Sequence, residues 1–564
     1  VLGLGAELVY TDGSTTPITH DLVWTFSDTS VVTTNDDNIP VATGLGSSQV
    51  LAVALHQGLY AECSVTIKLL LPDPVIVVDM TDEEVATFES METGEGDGAV
   101  FWQYPFDGTV FPRGMYPPLL QWWPGNANYF RVRLVNSQGL TVTFYTKESQ
   151  VQPTRELWQV IGQVPNGEIQ MHLTGAEYLA PGGVVWEATT RYVISADATL
   201  GGSVYYWEAT AGDIMRLDSE DYEPIAEPVF STNSATGECR GCHTLSPDGA
   251  KLAYNFNAKA NGDLGMAWAK NPEPEIMGLG SGIPSTTMAF GPAGNLLVVA
   301  DDIKMWLGDV TPGTPGGIEE LLTIEDTADS GGMYMADAPS WSRDGSALVY
   351  GRRDVGFDVL GSSLQRRYWD AETQTFGEAV ELLSPEDVPT GNLLMYPSWS
   401  PDSKWVVARV SDQLMGKGDT TTSSLILVDG ISGDWVSLDT AGPQDFAHGR
   451  PSFSPFMEGG YYWLVFYSTQ PYGESDTVQK QLWVMAIDQD ATTGADPSHP
   501  PFWLPGQNLE AANISAFWSK PVCTYEGELC LSDEDCCVGL ECAVDADLGV
   551  GFCESVGCTV PGEY

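Results

Sequence analysis

Cys239-Arg240-Gly241-Cys242-His243 is the segment of this 564-residue chain whose residue types and spacing could do chemistry. It has the C-x-x-C-H spacing of covalent c-type haem attachment. Each thiol can form a thioether to one haem vinyl group, and the adjoining imidazole then reaches the iron as the proximal ligand. The implied cofactor is one covalent haem c. A structural or redox disulfide between Cys239 and Cys242 is the competing reading. With only six histidines in the chain, a His directly after such a pair is rarely a coincidence. Zinc is the lesser rival, since it normally needs a second pair of nitrogen or sulfur ligands at similar spacing.

A haem must be held by a scaffold, and the scaffold shows as a repeat between residues 201 and 520. Its units are Leu245-Ser246-Pro247-Asp248-Gly249, Phe290-Gly291-Pro292-Ala293-Gly294, Trp341-Ser342-Arg343-Asp344-Gly345, Trp399-Ser400-Pro401-Asp402-Ser403 and Phe453-Ser454-Pro455, with Phe517-Trp518-Ser519 a degenerate sixth. They recur every 45 to 65 residues, the span of a four-stranded propeller blade. In each turn the Asp is expected to bind its own backbone and the Gly to supply a positive φ. An apolar strand follows each turn, as in Trp405-Val406-Val407-Ala408. Val204-Tyr205-Tyr206-Trp207 precedes the first unit and is expected to complete the last blade, closing the ring. These words resemble the TolB-like six-bladed β-propeller, a likeness that speaks for fold and says little about function.

Two β-rich segments come before the repeat. Residues 1–72 alternate apolar and polar residues in short runs, and Tyr10-Thr11-Asp12-Gly13-Ser14 and Trp24-Thr25-Phe26-Ser27-Asp28 resemble the bacterial Ig-like group 2 domain. Residues 73–200 carry amphipathic strands such as Phe130-Arg131-Val132-Arg133-Leu134. With Phe106-Asp107-Gly108-Thr109-Val110, they resemble a fibronectin type III-like sandwich. After the repeat, residues 521–564 hold Cys523, Cys530, Cys536, Cys537, Cys542 and Cys553, an order that resembles an inhibitor cystine knot. Six cysteines allow 15 pairings. The resemblance implies Cys523–Cys537, Cys530–Cys542 and Cys536–Cys553. Cys63 and Cys558 are left over, and they pair within the chain, pair between copies, or stay reduced. The fold class expected is all-β: two sandwiches, a propeller and a small disulfide-rich domain.

Within such a propeller the C-x-x-C-H segment would rim one mouth of the central channel. Met288, Met333, Met335, Met395 and His448 are then candidates for the sixth iron ligand, led by Met395 and His448; His499 is a weaker one. For each of them, packing or a hydrogen-bonded turn is the competing role.

Charge narrows the partners. The chain carries 24 Lys and Arg against 77 Asp and Glu, a formal charge of −53. So acidic a surface repels nucleic acid and anionic membrane. No apolar run is long enough to span a bilayer as a helix. Seven of the ten cysteines fall in the last 42 residues, a density that belongs to an oxidising compartment. Export after removal of a signal peptide is therefore expected, to the outside of a Gram-negative cell. The combination of haem motif and repeat is similar to propeller proteins of myxobacteria and related lineages.

Three functional readings follow. The first is a secreted or cell-surface c-type cytochrome passing single electrons to a redox partner that the sequence does not name. The second is an extracellular adhesion or assembly protein, with itself as a partner and open to filament formation, in which propeller and haem are structural. The third is an enzyme with its site in the channel, although the chain has neither a Gly-x-Ser-x-Gly elbow nor a His-Glu-x-x-His pair.

Overall fold

The computed structural model describes residues 6–9, 15–18, 22–26, 32–34, 40–42, 46–54, 59–67, 74–94, 100–219, 221, 223–230, 240–256, 262–268, 276–277, 284–285, 287–300, 304–310, 319–326, 334–355, 360–388, 393–412, 423–443, 445–475, 479–519, 529–530, 540–545 and 550–555. In the strands of 6–67 and 529–555 the description is largely of backbone. The chain is mostly β, with only short α-helices at Asp82–Glu89 and Arg155–Ile161 among the described residues. It divides into two compact units, Val1–Trp102 with Leu119–Asp197, and Gln103–Pro118 with Ala198–Tyr564.

In the first unit, Leu22–Phe26, Gly46–Ala54 and Leu59–Ile67 form an antiparallel three-stranded sheet in which Cys63 stands opposite Val50. A second sheet runs in the order Arg191–Ala196, Gly167–Ala176, Tyr129–Asn136, Thr141–Thr146 and Val75–Val77. Its period-two pattern sends Phe130, Val132 and Leu134 into the core, each 1% exposed or less. The helix at Asp82–Glu89 starts on a capping box: Thr81 Oγ1 accepts from the Glu84 amide at 3.2 Å, and the Thr81 amide donates to Glu84 Oε2 at 2.8 Å. Phe88, on its inner face, is 1% exposed.

The second unit carries six blades: four are separate antiparallel sheets, and two share one nine-stranded sheet, joined where Ser362 pairs in parallel with Leu393. Their innermost strands are Arg240–Leu245, Thr287–Phe290, Tyr334–Trp341, Leu393–Trp399, His448–Glu458 and Asn513–Ser519. Each touches the next, and the last touches the first, so the six close a ring. The ring is clasped where Ser203–Glu208 pairs antiparallel with Asn513–Ser519, which completes the last blade from the N-terminal side of the repeat. This is a β-propeller.

The turn chemistry explains why the repeat is so legible. Ser246, Ser342 and Ser400 donate to Asp248, Asp344 and Asp402 at 2.5, 2.7 and 2.6 Å. Each Ser hydroxyl also accepts from the backbone amide five residues on, at 2.8 to 2.9 Å. The following Gly249, Gly294 and Gly345 take φ of 72°, 68° and 78°. The aromatic residue before each turn packs between blades: Trp399 is 5% exposed against Val406, Ala408, Ile426 and Val428. Burying a side chain of that size contributes about 2–3 kcal/mol.

Gln103–Pro118 joins the propeller unit, which the sequence pattern did not show. The Trp503 amide donates to the Tyr104 hydroxyl at 3.1 Å, and Phe106 stacks on Trp483 at 5.8 Å. In the tail, Leu540–Asp545 and Val550–Ser555 form a hairpin with Cys542 opposite Cys553, and Leu529–Cys530 adds a third strand. Cys523, Cys536, Cys537 and Cys558 lie outside the described residues.

Candidate functional site in the propeller channel

The inner strands carry a shared irregularity that shapes the channel. Pairing slips by a residue or more between Asp337 and Ser340, between Met395 and Ser398, and between Gly449 and Ser452. At each bulge a non-glycine residue takes a left-handed conformation: Ala338 at φ 53°, Tyr396 at 54° and Arg450 at 46°. Ser515, at φ 55°, does the same in the last blade. The bulge re-aims these side chains, and all four line one central cavity of about 140 Å³. By position relative to the repeat turn, Cys242 and Thr287 are their counterparts in the first two blades, and they line it too.

Cys242 and His243 therefore stand on the innermost strand of the first blade. Gly241 beside them approaches Asn255 so closely that a Cβ would come within 2.7 Å of its side-chain oxygen. Cys242 is half-buried and unpaired. Arg450 Nη1 donates to its sulfur at 3.5 Å and also to Ser515 Oγ. The Arg450 guanidinium lies over the Tyr396 ring, 5.0 Å from its centroid. Burial works against the Arg450 charge, yet its pKa stays above the usual guanidinium value, so the group is a cation.

His243 is 3% exposed, with its ring edge-on to Phe517 at 5.2 Å. Burial lowers its pKa from 6.5 to about 4. The backbone of Tyr205 and Gly241 favours the protonated ring, while Arg450 opposes it. Neither ring nitrogen meets a hydrogen-bond partner of good geometry among the described residues. The imidazole is thus neutral and buried, held only by loose contacts to the backbone of Tyr205 and Gly241, and neutrality is what a metal-binding imidazole needs.

The other sequence candidates are dispersed. Met288 lines the cavity with His243. Met395 is 6% exposed and precedes the bulge residue Tyr396, so strand alternation turns it away. His448 is 1% exposed, and its Nε2 lies 3.2 Å from the Pro443 carbonyl oxygen. His499 pairs with Asp488 at 2.9 Å. Cys239 and Met333 lie outside the described residues, and of Met335 only the backbone is described. No group of three or more His, Cys, Asp and Glu side chains able to hold a metal ion occurs among the described residues. No described helix is long and apolar enough to cross a membrane.

Arginines are what the sequence reading missed. Arg343 stands where other repeat turns have proline, and it lines the cavity beside Pro247. The residue is exposed at the mouth. Behind Tyr396, Arg409 is 0% exposed; its Nη2 donates to Ser411 at 3.3 Å, and Nε and Nη1 have no partner among the described residues. The signal available in the sequence was the Ser-Arg-Asp-Gly departure from Ser-Pro-Asp-Gly.

The donor set at Cys242 and His243 fits haem attachment: a free thiol and a neutral imidazole on adjacent residues. The enclosed volume is close to the 150 Å³ of an engineered cavity that takes benzene.

No family model matches the chain, and neither does the sequence of any curated protein. Solved structures do. A putative TolB from Agrobacterium tumefaciens is 17% identical with a TM-score of 0.32, over 56% of this chain and 97% of that one. TolB from Acinetobacter baumannii is 13% identical with a TM-score of 0.27, over 73% and 78%. The nidogen/laminin complex gives 12% identity and a TM-score of 0.35, over 56% and 97%. The chain is similar in structure to TolB-like and other β-propeller proteins, a likeness of fold alone.

Proposed function

We propose that this protein is an extracellular c-type cytochrome that carries single electrons, with one haem attached through Cys239 and Cys242 and His243 as the proximal ligand. The observation that carries the reading is His243: buried, held neutral, with no side-chain partner for its ring nitrogens, and next to an unpaired Cys242. When bound, the haem supplies a one-electron couple. Gly241 lets the strand approach Asn255, and Phe517 fixes the imidazole plane. The positive charge of Arg450 beside the Cys242 sulfur favours an electron-rich neighbour. Met395 and His448 remain the sixth-ligand candidates by residue type, and Met288 joins them by position. The reading also takes residues 1–72 and 73–200 as Ig-like and fibronectin-like sandwiches and residues 521–564 as a knotted disulfide domain, modules suited to the surface of a Gram-negative cell.

The test is an intact mass of native protein under denaturing conditions, because thioethers survive unfolding. The expected result is one added haem, lost when both thiols are removed in C239S/C242S, with an altered spectrum but retained mass in H243A. Native protein without that mass overturns the proposal.

A further inference from the structure

We propose that the turn end of the channel is a binding site for a small organic carboxylate, recognised by Arg450 and drawn in by Arg343. The inference does not rest on the haem reading. It begins from a reversal of charge. The chain carries 77 acidic residues, yet the described residues lining this cavity include two arginines and neither an Asp nor a Glu. Arg409 adds a third guanidinium behind the Tyr396 wall; burial of Tyr396 raises its phenol pKa, so the ring supplies no countercharge. Asp337, whose charge reaches Tyr396, stands outside the lining, and its Oδ1 accepts from the Thr287 hydroxyl and, at 2.7 Å, from the Ala338 amide.

The site shares its inner wall with the attachment residues, since Cys242 and His243 line the same cavity and Arg450 Nη1 donates to the Cys242 sulfur, but its entrance lies at the opposite end of the strands. Every inner strand runs from the end where Arg240 begins to the end where the repeat turns lie. The turns gather at that second mouth: the Asp344 amide donates to Ser403 Oγ at 3.0 Å, and a Cβ on Gly345 would stand 2.9 Å from Pro292. Arg343 is in one of these turns. Arg450 is five positions back along the equivalent strand, about 16 Å at the backbone. An anion entering at the turns meets Arg343 first and Arg450 inside.

At Arg450 the site is built to receive it. Nε is buried without a partner, and the serine hydroxyls of Ser398, Ser452 and Ser515 share the cavity. Trp341, Trp399 and Phe453 supply apolar wall. Charge at one point, hydroxyls around it and aromatic faces beyond define a compact carboxylate with an apolar body. The volume is that of a single ring. Inside an acidic protein such a channel also selects, because the outer surface repels the same ligand.

The test is calorimetric titration of the full native chain at low salt with benzoate, benzamide and inorganic phosphate. Benzoate is expected to bind with a dissociation constant of about 1 mM or tighter. Benzamide and phosphate should each bind at least about tenfold more weakly, one lacking the charge and the other the apolar body. R450Q should weaken benzoate about tenfold or more, and R343Q, in an exposed turn that does not threaten folding, should weaken it less and flatten its salt dependence. K304Q, on the outer part of a blade, removes the same charge and should change nothing. The proposal is overturned if benzoate gives no saturable heat, if benzamide or phosphate matches it, or if neither R343Q nor a folded R450Q weakens it.

Discussion

Replacing Ser400 by alanine removes a hydroxyl that serves three neighbours. It donates to Asp402 at 2.6 Å and accepts from the amides of Trp405 at 2.9 Å and Lys404 at 3.2 Å. Ser400 is 0% exposed and Trp405 2%, so water cannot substitute without opening the blade. The orphaned Trp405 amide costs about 1–3 kcal/mol, and the lost bond to a carboxylate adds about 1 kcal/mol, since Asp402 keeps the Lys404 amide and the Tyr462 hydroxyl. The sum is about 3 kcal/mol. A propeller of roughly 320 residues has an unfolding entropy near 0.7 kcal/mol/K, so the midpoint should fall by about 4–5 °C. Scanning calorimetry of the native chain measures it. Ser454 is the internal control: it is 1% exposed, but its hydroxyl accepts from the Phe456 amide alone among the described contacts, at 3.2 Å. S454A should lower the midpoint by only about 1–2 °C. Equal shifts for the two variants, or a shift under about 1 °C for S400A, would refute the argument that the serine bridge carries the turn.

Other substitutions test other parts of the propeller. R367M removes the cation paired at 2.5 Å with Glu325, whose side chain is 8% exposed and keeps the Tyr350 hydroxyl at 2.6 Å, and it should cost about 3 kcal/mol by calorimetry, whereas breaking the more exposed Lys304–Glu320 pair should cost under about 1 kcal/mol. Burial holds the His448 pKa down at about 4, so the unfolded chain binds a proton that the folded chain refuses between pH 6.5 and 4. Stability is therefore lost as pH falls through that window, by about 3 kcal/mol from this residue, and H448Q should show a correspondingly shallower acid decline in midpoint than the native chain. G430A places a Cβ 2.3 Å from a Trp399 ring carbon and should destabilise by about 1–3 kcal/mol, read as a lower midpoint with a shifted Trp near-ultraviolet signal.

What could be read in the sequence was local chemistry. Aromatic-Ser-Pro-Asp-Gly is a turn whose bonds all close within five residues, so its repetition marks the blades, and Val204–Trp207 was visible as an unmatched strand ahead of them. Two things were not local. The packing of Tyr104 and Phe106 on Tyr472 and Trp483 joins positions nearly 400 apart and has no periodic signature. The bulges at Ala338, Tyr396 and Arg450 rest on non-glycine residues at positive φ, where turn-residue reasoning expects glycine or asparagine. A single bulge moves every residue before it to the opposite face. Counting offsets from the turn therefore could not show that Tyr396 and Arg450 line the channel. Cys242 and His243 were found because their spacing carries its own chemistry and needs no register.

The clasp between Ser203–Glu208 and Asn513–Ser519 also governs the order of events as the chain folds. Its two strands are separated by some 300 residues, so this closure pays the largest loop entropy of any blade contact and should come late. Until residue 519 has been synthesised, Ser203–Glu208 is an open edge whose side chains are mostly buried in the finished ring. An unfilled edge of that kind templates pairing with any extended strand, including the corresponding segment of another nascent chain. The last blade therefore doubles as a completion check. A chain truncated before Asn513 would keep the other five blades yet remain adhesive, and only the finished polypeptide buries its own invitation to aggregate.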